Sequence, residues 1–171
     1  YRVFAIDLYD GEVATEMEDA KKLSTTVYEN PDKANEKMKL AINYLKDTGK
    51  TAKIGTLGWC FGGAQSLNVS LETPVDATVV YYGNLVQDRM KLERLKWPLL
   101  GIFGDKDTVI PFDQIKLFQK NLTNAKKDYK VYVYPGLGHA FANPSGQNYA
   151  EKETLDAWKK TTDFLAKNLK K

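Results

Sequence analysis

Cysteine and histidine each occur once in this chain, and that scarcity excludes a good deal. A single cysteine permits no internal disulfide, so cysteine usage leaves the redox compartment open. One cysteine and one histidine cannot supply the three or four nitrogen and sulfur ligands of a usual transition-metal site, so no metal and no other cofactor is expected. No apolar run approaches the ~18 residues of a membrane-spanning helix, and no basic stretch precedes an apolar one as in a signal peptide. The expectation is therefore a cytoplasmic protein with no membrane partner. The chain nevertheless opens on Tyr1 and not on Met, so removal of an upstream segment stays open. A formal net charge of +3 is modest, and the densest basic cluster is Lys167-Asn168-Leu169-Lys170-Lys171. That reads as a solvated helix end and argues against a nucleic-acid partner.

What is present fits one soluble domain over residues 1–171. The chain is long enough to bury a real core, and 43% hydrophobic with 27% charged residues is ordinary for a globular protein. Short apolar runs alternate with longer amphipathic segments, which argues for a mainly parallel sheet of about five strands flanked by helices. Arg2 to Ile6 reads as the first strand and Asp7-Leu8-Tyr9-Asp10-Gly11 as its turn. A polar helix is expected from about Thr15 to Glu29. Pro31 stops it and starts a second helix, with Ala34, Met38, Ala41, Ile42 and Leu45 on one face. Ala52 to Leu57 reads as a strand leading into a helix that ends near Leu71. Ala77 to Tyr82 and Trp97 to Phe103 are further strands, Phe112 to Leu122 a helix, and Lys130 to Tyr134 the last strand. A final helix is expected from about Tyr149 to Asn168, with Leu155, Trp158, Thr162 and Leu165 turned inward.

The stretch Gly58-Trp59-Cys60-Phe61-Gly62-Gly63 joins a strand to a helix. A residue there is forced into a strained turn, and Gly58 and Gly62, two before and two after Cys60, would let strand and helix approach closely. The usual role of a lone free cysteine is as a small buried hydrophobe, but this setting favours a nucleophile. A thiolate needs a base to take its proton, and the base needs an acceptor that fixes its tautomer. His139, in the loop after the last strand, is the candidate base. Asp107, after the strand ending near Phe103, is the candidate acceptor, with Asp105 as its competitor and a turn or helix-cap role as the plain alternative. Sites in parallel α/β sheets lie beyond the carboxyl ends of the strands, where all three residues fall. Trp59, Tyr82 and Phe141 are candidate pocket residues, although aromatics at strand ends are commonly core.

These residues resemble the dienelactone hydrolase family. The likeness is carried by Gly58-Trp59-Cys60-Phe61-Gly62-Gly63, by Gly104-Asp105-Lys106-Asp107-Thr108-Val109-Ile110-Pro111, and by Tyr134-Pro135-Gly136-Leu137-Gly138-His139-Ala140-Phe141-Ala142-Asn143-Pro144. Asp7-Leu8-Tyr9 and the spacings of 47 residues from Cys60 to Asp107 and 32 from Asp107 to His139 suit it too. The resemblance implies a three-layer α/β-hydrolase fold and a small-molecule ester or lactone substrate. It makes Cys60 the nucleophile, His139 the base, Asp107 the residue orienting it, and the Phe61 N–H an oxyanion donor. Two departures accompany it. Arginines that bind a substrate carboxylate in the family's name-giving enzymes are replaced by Asp10-Gly11 and Asn143, which points to a neutral or differently charged ester. Asn143 stays a candidate substrate contact. The family's earlier strands, with the loop giving the second oxyanion donor, are not in the sequence. A fragment, a processed form, and a shortened homologue whose open sheet edge pairs with a second copy all remain open. The competing function is a non-catalytic domain of the same fold that binds or assembles; a flavodoxin-like fold is disfavoured because no phosphate-cradling glycine loop opens the first helix.

Overall fold

The computed structural model describes residues 1–49 and 53–170. Ala52, the expected start of the strand before Cys60, and Lys171 of the basic terminus lie outside the described residues. The chain divides into two compact units, Tyr1–Ile54 and Gly55–Lys171.

The described residues of the first unit form two helices, α1 (Met17–Glu29) and α2 (Pro31–Gly49). Pro31 occupies the first turn of α2, where its fixed φ is an advantage and its missing N–H is no loss. The expected stripe on α2 is buried at Ala34, Met38, Ala41 and Ile42, and Leu45 is half-buried. The strand expected from Arg2 to Ile6 does not form, and Val3, Phe4 and Ile6 are exposed. Strand geometry is favourable only when backbone N–H and C=O groups meet a neighbouring strand, and the described residues of this unit hold no other strand. The turn that follows does form. Asp7 accepts from the N–H groups of Tyr9 at 2.7 Å and Gly11 at 2.6 Å, and Asp10 pairs with Lys33 at 2.8 Å and Lys37 at 2.6 Å.

The described residues of the second unit form four parallel strands in consecutive order: β1 (Gly55–Trp59), β2 (Ala77–Tyr81), β3 (Leu99–Gly104) and β4 (Tyr129–Tyr134). Between them run α3 (Phe61–Glu72), the short α4 (Arg89–Leu92) and α5 (Phe112–Asn124), and α6 (Glu151–Leu169) closes the unit. Parallel strands in consecutive order require crossovers of one hand, and these are right-handed in nearly all proteins. β2 and β3 are buried at every position, as expected for strands covered on both faces. The register aligns Trp59, Tyr81, Ile102 and Tyr132 across the sheet, so their side chains share a face. That face carries α6: the Tyr81 hydroxyl bonds Thr161 at 2.7 Å, and Trp59 stacks on Trp158 at 6.4 Å. The opposite face carries α3, where Ser66 Oγ donates to the Val79 carbonyl at 2.9 Å.

One detail of α6 departs from the sequence reading. Leu155 and Trp158, expected to point inward, are 62% and 45% exposed, whereas Ala157 and Thr161 are fully buried. Small side chains on the inner face bring the helix close to the sheet, and the Tyr81–Thr161 bond rewards that approach. Replacing Tyr81 by Phe should leave the buried Thr161 hydroxyl without its partner. The expected loss is about 1–3 kcal/mol in urea denaturation, with no change at the carboxyl ends of the strands.

Candidate active site

Consecutive parallel strands put all their carboxyl ends along one rim of the sheet. From that rim emerge Cys60 after β1, Tyr82 after β2, Asp107 beyond β3 and His139 beyond β4.

Cys60 stands between β1 and α3 with φ 51° and ψ −117°, a region an L-residue occupies only when its surroundings enforce it. Its N–H donates to the Tyr81 carbonyl at 2.9 Å, and its own carbonyl accepts from Ala64 at 3.1 Å. Small residues allow this turn, but not quite the pair expected. A Cβ on Gly58 would lie 2.0 Å from the Gly62 carbonyl oxygen, whereas a Cβ on Gly62 would meet nothing within 4 Å. Gly63 and Gly83 are also constrained, though less tightly than Gly58, since a Cβ on them would come within 2.7 Å and 2.4 Å of backbone atoms respectively. No spacing relative to Cys60 marks Gly83 in the sequence.

The loop after β3 holds Asp107, whose side chain is wholly inaccessible to solvent. Its Oδ1 accepts from the N–H groups of Val109 at 2.7 Å and Ile110 at 2.9 Å. Its Oδ2 lies 2.8 Å from His139 Nδ1, and His139 Nε2 lies 3.1 Å from Cys60 Sγ. The structure thus brings Cys60, His139 and Asp107 into one hydrogen-bonded line. Asp105, the competitor for the acid position, bonds the Gly136 N–H at 2.6 Å instead.

Electrostatics follow from these contacts. Burial resists ionisation of Asp107, but the bond to His139 and the two backbone N–H groups outweigh it and hold the carboxyl below its ordinary value. The contacts with Asp107 and then Cys60 raise the His139 imidazole to about 9. The His139 hydrogen bond, against the opposing effect of burial, lowers the Cys60 thiol, and the Phe61 N–H lowers it further. Both shifts favour the thiolate–imidazolium pair over the neutral thiol and imidazole.

A pH experiment tests this pairing. Because the thiol is lowered, iodoacetamide should alkylate Cys60 readily below the ordinary thiol range. In His139→Ala the largest lowering cause is gone while burial still raises the thiol, so alkylation near pH 7 should slow by about tenfold for each unit the pKa rises. The two rates should converge only once pH passes the raised thiol pKa of the variant. Curves that superpose at every pH would refute the pairing.

The remaining sequence candidates occupy different places. The Tyr82 ring, nearly buried and at φ 35°, sets its edge against His139 at 5.2 Å and against Phe141 at 5.6 Å. Phe141 is fully buried between Tyr82 and Tyr134, so it is part of the core and not a pocket wall. Trp59 packs on Tyr81 at 5.4 Å, on the face covered by α6. Asn143 spends its side-chain oxygen on the N–H and hydroxyl of Ser145 at 3.1 and 2.9 Å, which organises its own turn. Asn148 was missed by the sequence reading. Its amide donates to the His139 carbonyl at 2.9 Å, and no spacing rule marks an asparagine nine residues beyond a histidine.

Comparison with known proteins agrees with this architecture. Residues 1–169 match the dienelactone hydrolase family. Protein usf of Aquifex pyrophilus is 33% identical over 97% of this chain, which covers 74% of that protein. A carboxymethylenebutenolidase homolog of Xenopus tropicalis is 32% identical over 68% of this chain. The chain spans 48% of that relative's length. The fold matches a dienelactone hydrolase-like promiscuous phosphotriesterase from metagenomic libraries, with a TM-score of 0.85 over 96% of this chain and 73% of that one at 18% identity. A family match running almost end to end, joined to a relative one-third identical over nearly the same span, leads to one assignment: this chain belongs to the dienelactone hydrolase family, hydrolases of esters and lactones with the α/β-hydrolase fold.

Proposed function

We propose that the protein cleaves a carboxylic ester or lactone through an acyl-cysteine formed on Cys60, with His139 as acid and base and Asp107 as the group that orients it. The observation that carries this reading is the unbroken line from Cys60 Sγ through both ring nitrogens of His139 to the Asp107 carboxylate, at 3.1 and 2.8 Å. The ionised Asp107 accepts from Nδ1–H, which leaves Nε2 facing the sulfur. The thiolate attacks the carbonyl carbon and the carbonyl π pair moves to oxygen. The Phe61 N–H, already directed at the sulfur, donates to that oxyanion. Collapse breaks the carbon–oxygen bond of the ester, and Nε2–H protonates the departing alkoxide. Nε2, now neutral, takes a proton from water, whose hydroxide attacks the thioester. Collapse of the second tetrahedral species releases the acid and restores the thiolate beside the imidazolium.

The substrate in this proposal is a neutral ester or lactone. Its support is that Asn143, one of the positions where the family's name-giving enzymes hold a carboxylate-binding arginine, is uncharged and engaged with Ser145. The test is presteady-state hydrolysis of 4-nitrophenyl acetate. A burst of nitrophenolate is expected, together with the mass of one acetyl group on the peptide that contains Cys60. Equal turnover by wild type and Cys60→Ala, without that adduct, would sink the proposal.

A further inference from the structure

The two aspartates of Gly104-Asp105-Lys106-Asp107 leave the same strand end but take hold of the β4 exit loop at different points. Asp107 bonds the His139 ring, and Asp105 bonds the backbone three residues earlier, at Gly136. Gly136 lies at φ 77°, a left-handed conformation that turns the following chain out of the strand direction. Two further bonds fasten the same pair of loops: Asp105 N–H to the Tyr134 carbonyl at 3.1 Å, and Lys106 N–H to the Leu137 carbonyl at 2.9 Å. The loops run so close that a Cβ on Gly104 would fall 2.1 Å from the Leu137 carbonyl oxygen. On the far side of His139, Ala140 has φ 60°, an unfavourable conformation for a residue with a Cβ. There the Asn148 amide grips the His139 carbonyl at 2.9 Å, and the Ala150 N–H donates to the Phe141 carbonyl at 2.9 Å.

We infer that Asp105 and Asn148 are positioning residues for His139, one anchoring the loop before it and the other the carbonyl of His139 itself. The imidazole must meet two partners at once, Asp107 at Nδ1 and Cys60 at Nε2, and these partners sit on loops from different strands. A side chain can satisfy both only if the backbone beneath it is held against rotation and slip. Ring contact supplies part of that hold, through the Tyr82 edge at 5.2 Å. The remainder must come from the backbone, where Ala140 leaves the conformations an unsupported chain prefers and Gly136, free to take either hand, must be held in one. Asp105 acts through its acceptor oxygen, so the hydrogen bond is the essential feature and not the charge. Displacements on the order of 1 Å at a reacting group can cost about a hundredfold in rate, so loss of either anchor should act on catalysis without touching substrate.

This inference rests on the proposed roles of Cys60 and His139, and the experiment separates the two. Cys60 alkylation by iodoacetamide is followed against pH in wild type, His139→Ala, Asp105→Ala, Asp105→Asn and Asn148→Ala, with circular dichroism confirming the fold. 4-Nitrophenyl acetate hydrolysis is measured beside it. Asp105→Ala and Asn148→Ala should move the alkylation profile to higher pH and lower kcat about tenfold or more, with KM little changed. Asp105→Asn should recover most of both properties, because its amide oxygen still accepts from Gly136. A wild-type profile in either folded Ala variant overturns that residue's role, and equal impairment in Asp105→Asn and Asp105→Ala overturns the hydrogen-bond clamp. Should Asp105→Ala fail to fold, Asp105→Asn and Asn148→Ala carry the decision. An ordinary thiol profile in wild type, unchanged by His139→Ala, would instead refute the triad on which the inference rests.

Discussion

Cys60→Ala should lose about 10⁴-fold or more of the ester-hydrolysing activity while keeping a wild-type fold. In the proposed mechanism Cys60 carries the acyl group, so its removal takes away the intermediate itself and leaves only hydrogen bonds that bind substrate and its oxyanion. The fold should survive because Cys60 is a solvent-exposed residue whose sulfur is only partly desolvated, and its structural bonds, to Tyr81 and Ala64, are made by its backbone. A companion variant sharpens the point. At φ 51° and ψ −117° any side chain carries a conformational penalty of roughly 1–3 kcal/mol, and glycine avoids most of it. Cys60→Gly should therefore be as inactive as Cys60→Ala but melt at a higher temperature, which would show that the chain gives up stability to present its nucleophile. Initial rates on 4-nitrophenyl acetate and thermal melts of the three proteins decide both claims. Residual activity within tenfold of wild type in Cys60→Ala would refute the nucleophile assignment.

The second large effect is on stability. Gly58→Ala places a Cβ 2.0 Å from the Gly62 carbonyl oxygen, 2.1 Å from its carbon and 2.7 Å from the Gly63 nitrogen. All three are backbone atoms, so no rotamer change can relieve the clash; β1 and α3 would have to separate. A cost above about 4 kcal/mol is expected, a large share of the ~5–15 kcal/mol that holds a domain folded. Gly62→Ala is the control. Its new methyl meets nothing within 4 Å, it lies in the first turn of α3, and alanine exceeds glycine in helix propensity by up to about 1 kcal/mol. Urea denaturation should show Gly58→Ala largely unfolded and Gly62→Ala within about 1 kcal/mol of wild type. Similar midpoints for the two variants would refute the close approach of strand and helix at Gly58.

The same two glycines show why part of the site could be read from the chain and part could not. Gly58 and Gly62 flank Cys60 symmetrically in sequence, and spacing alone gives them equal importance. Only the path of the backbone distinguishes them, because α3 leaves Gly62 facing open space and brings its carbonyl onto Gly58. Asp105 and Asp107 pose a similar choice. Both are polar residues in a loop after a strand, and either could accept from a histidine. The choice is made by where the β4 exit loop passes, which sets Gly136 beside the first carboxylate and the His139 ring beside the second.

Other misreadings have the same origin. A strand needs a partner, so the β-rich run Arg2 to Ile6 carries the composition of a strand without forming one in Tyr1–Ile54. A helix face depends on how closely a helix can approach a sheet, so the large Leu155 and Trp158 are left outside while Ala157 and Thr161 go in. Phe141 shares a loop with His139 and reads as a pocket residue, yet its ring completes the core behind Tyr82.

The sequence by itself determined the alternation of strand and helix, the parallel sheet this demands, and the placement of one cysteine, two aspartates and one histidine at strand ends. Those properties are local: they follow from apolar periodicity, glycine placement and the rule that connections leave a parallel sheet along one rim. Tertiary structure alone decided which aspartate meets the histidine, which glycines are indispensable, and that Asn148 and the Gly136 N–H take part in holding the ring. The bonds from Asp105 to Gly136 and from His139 to Asp107 and Cys60 join segments about 30 to 80 residues apart, and a hydrogen bond of 2.6–3.1 Å depends on the relative course of two loops that no single stretch of sequence encodes.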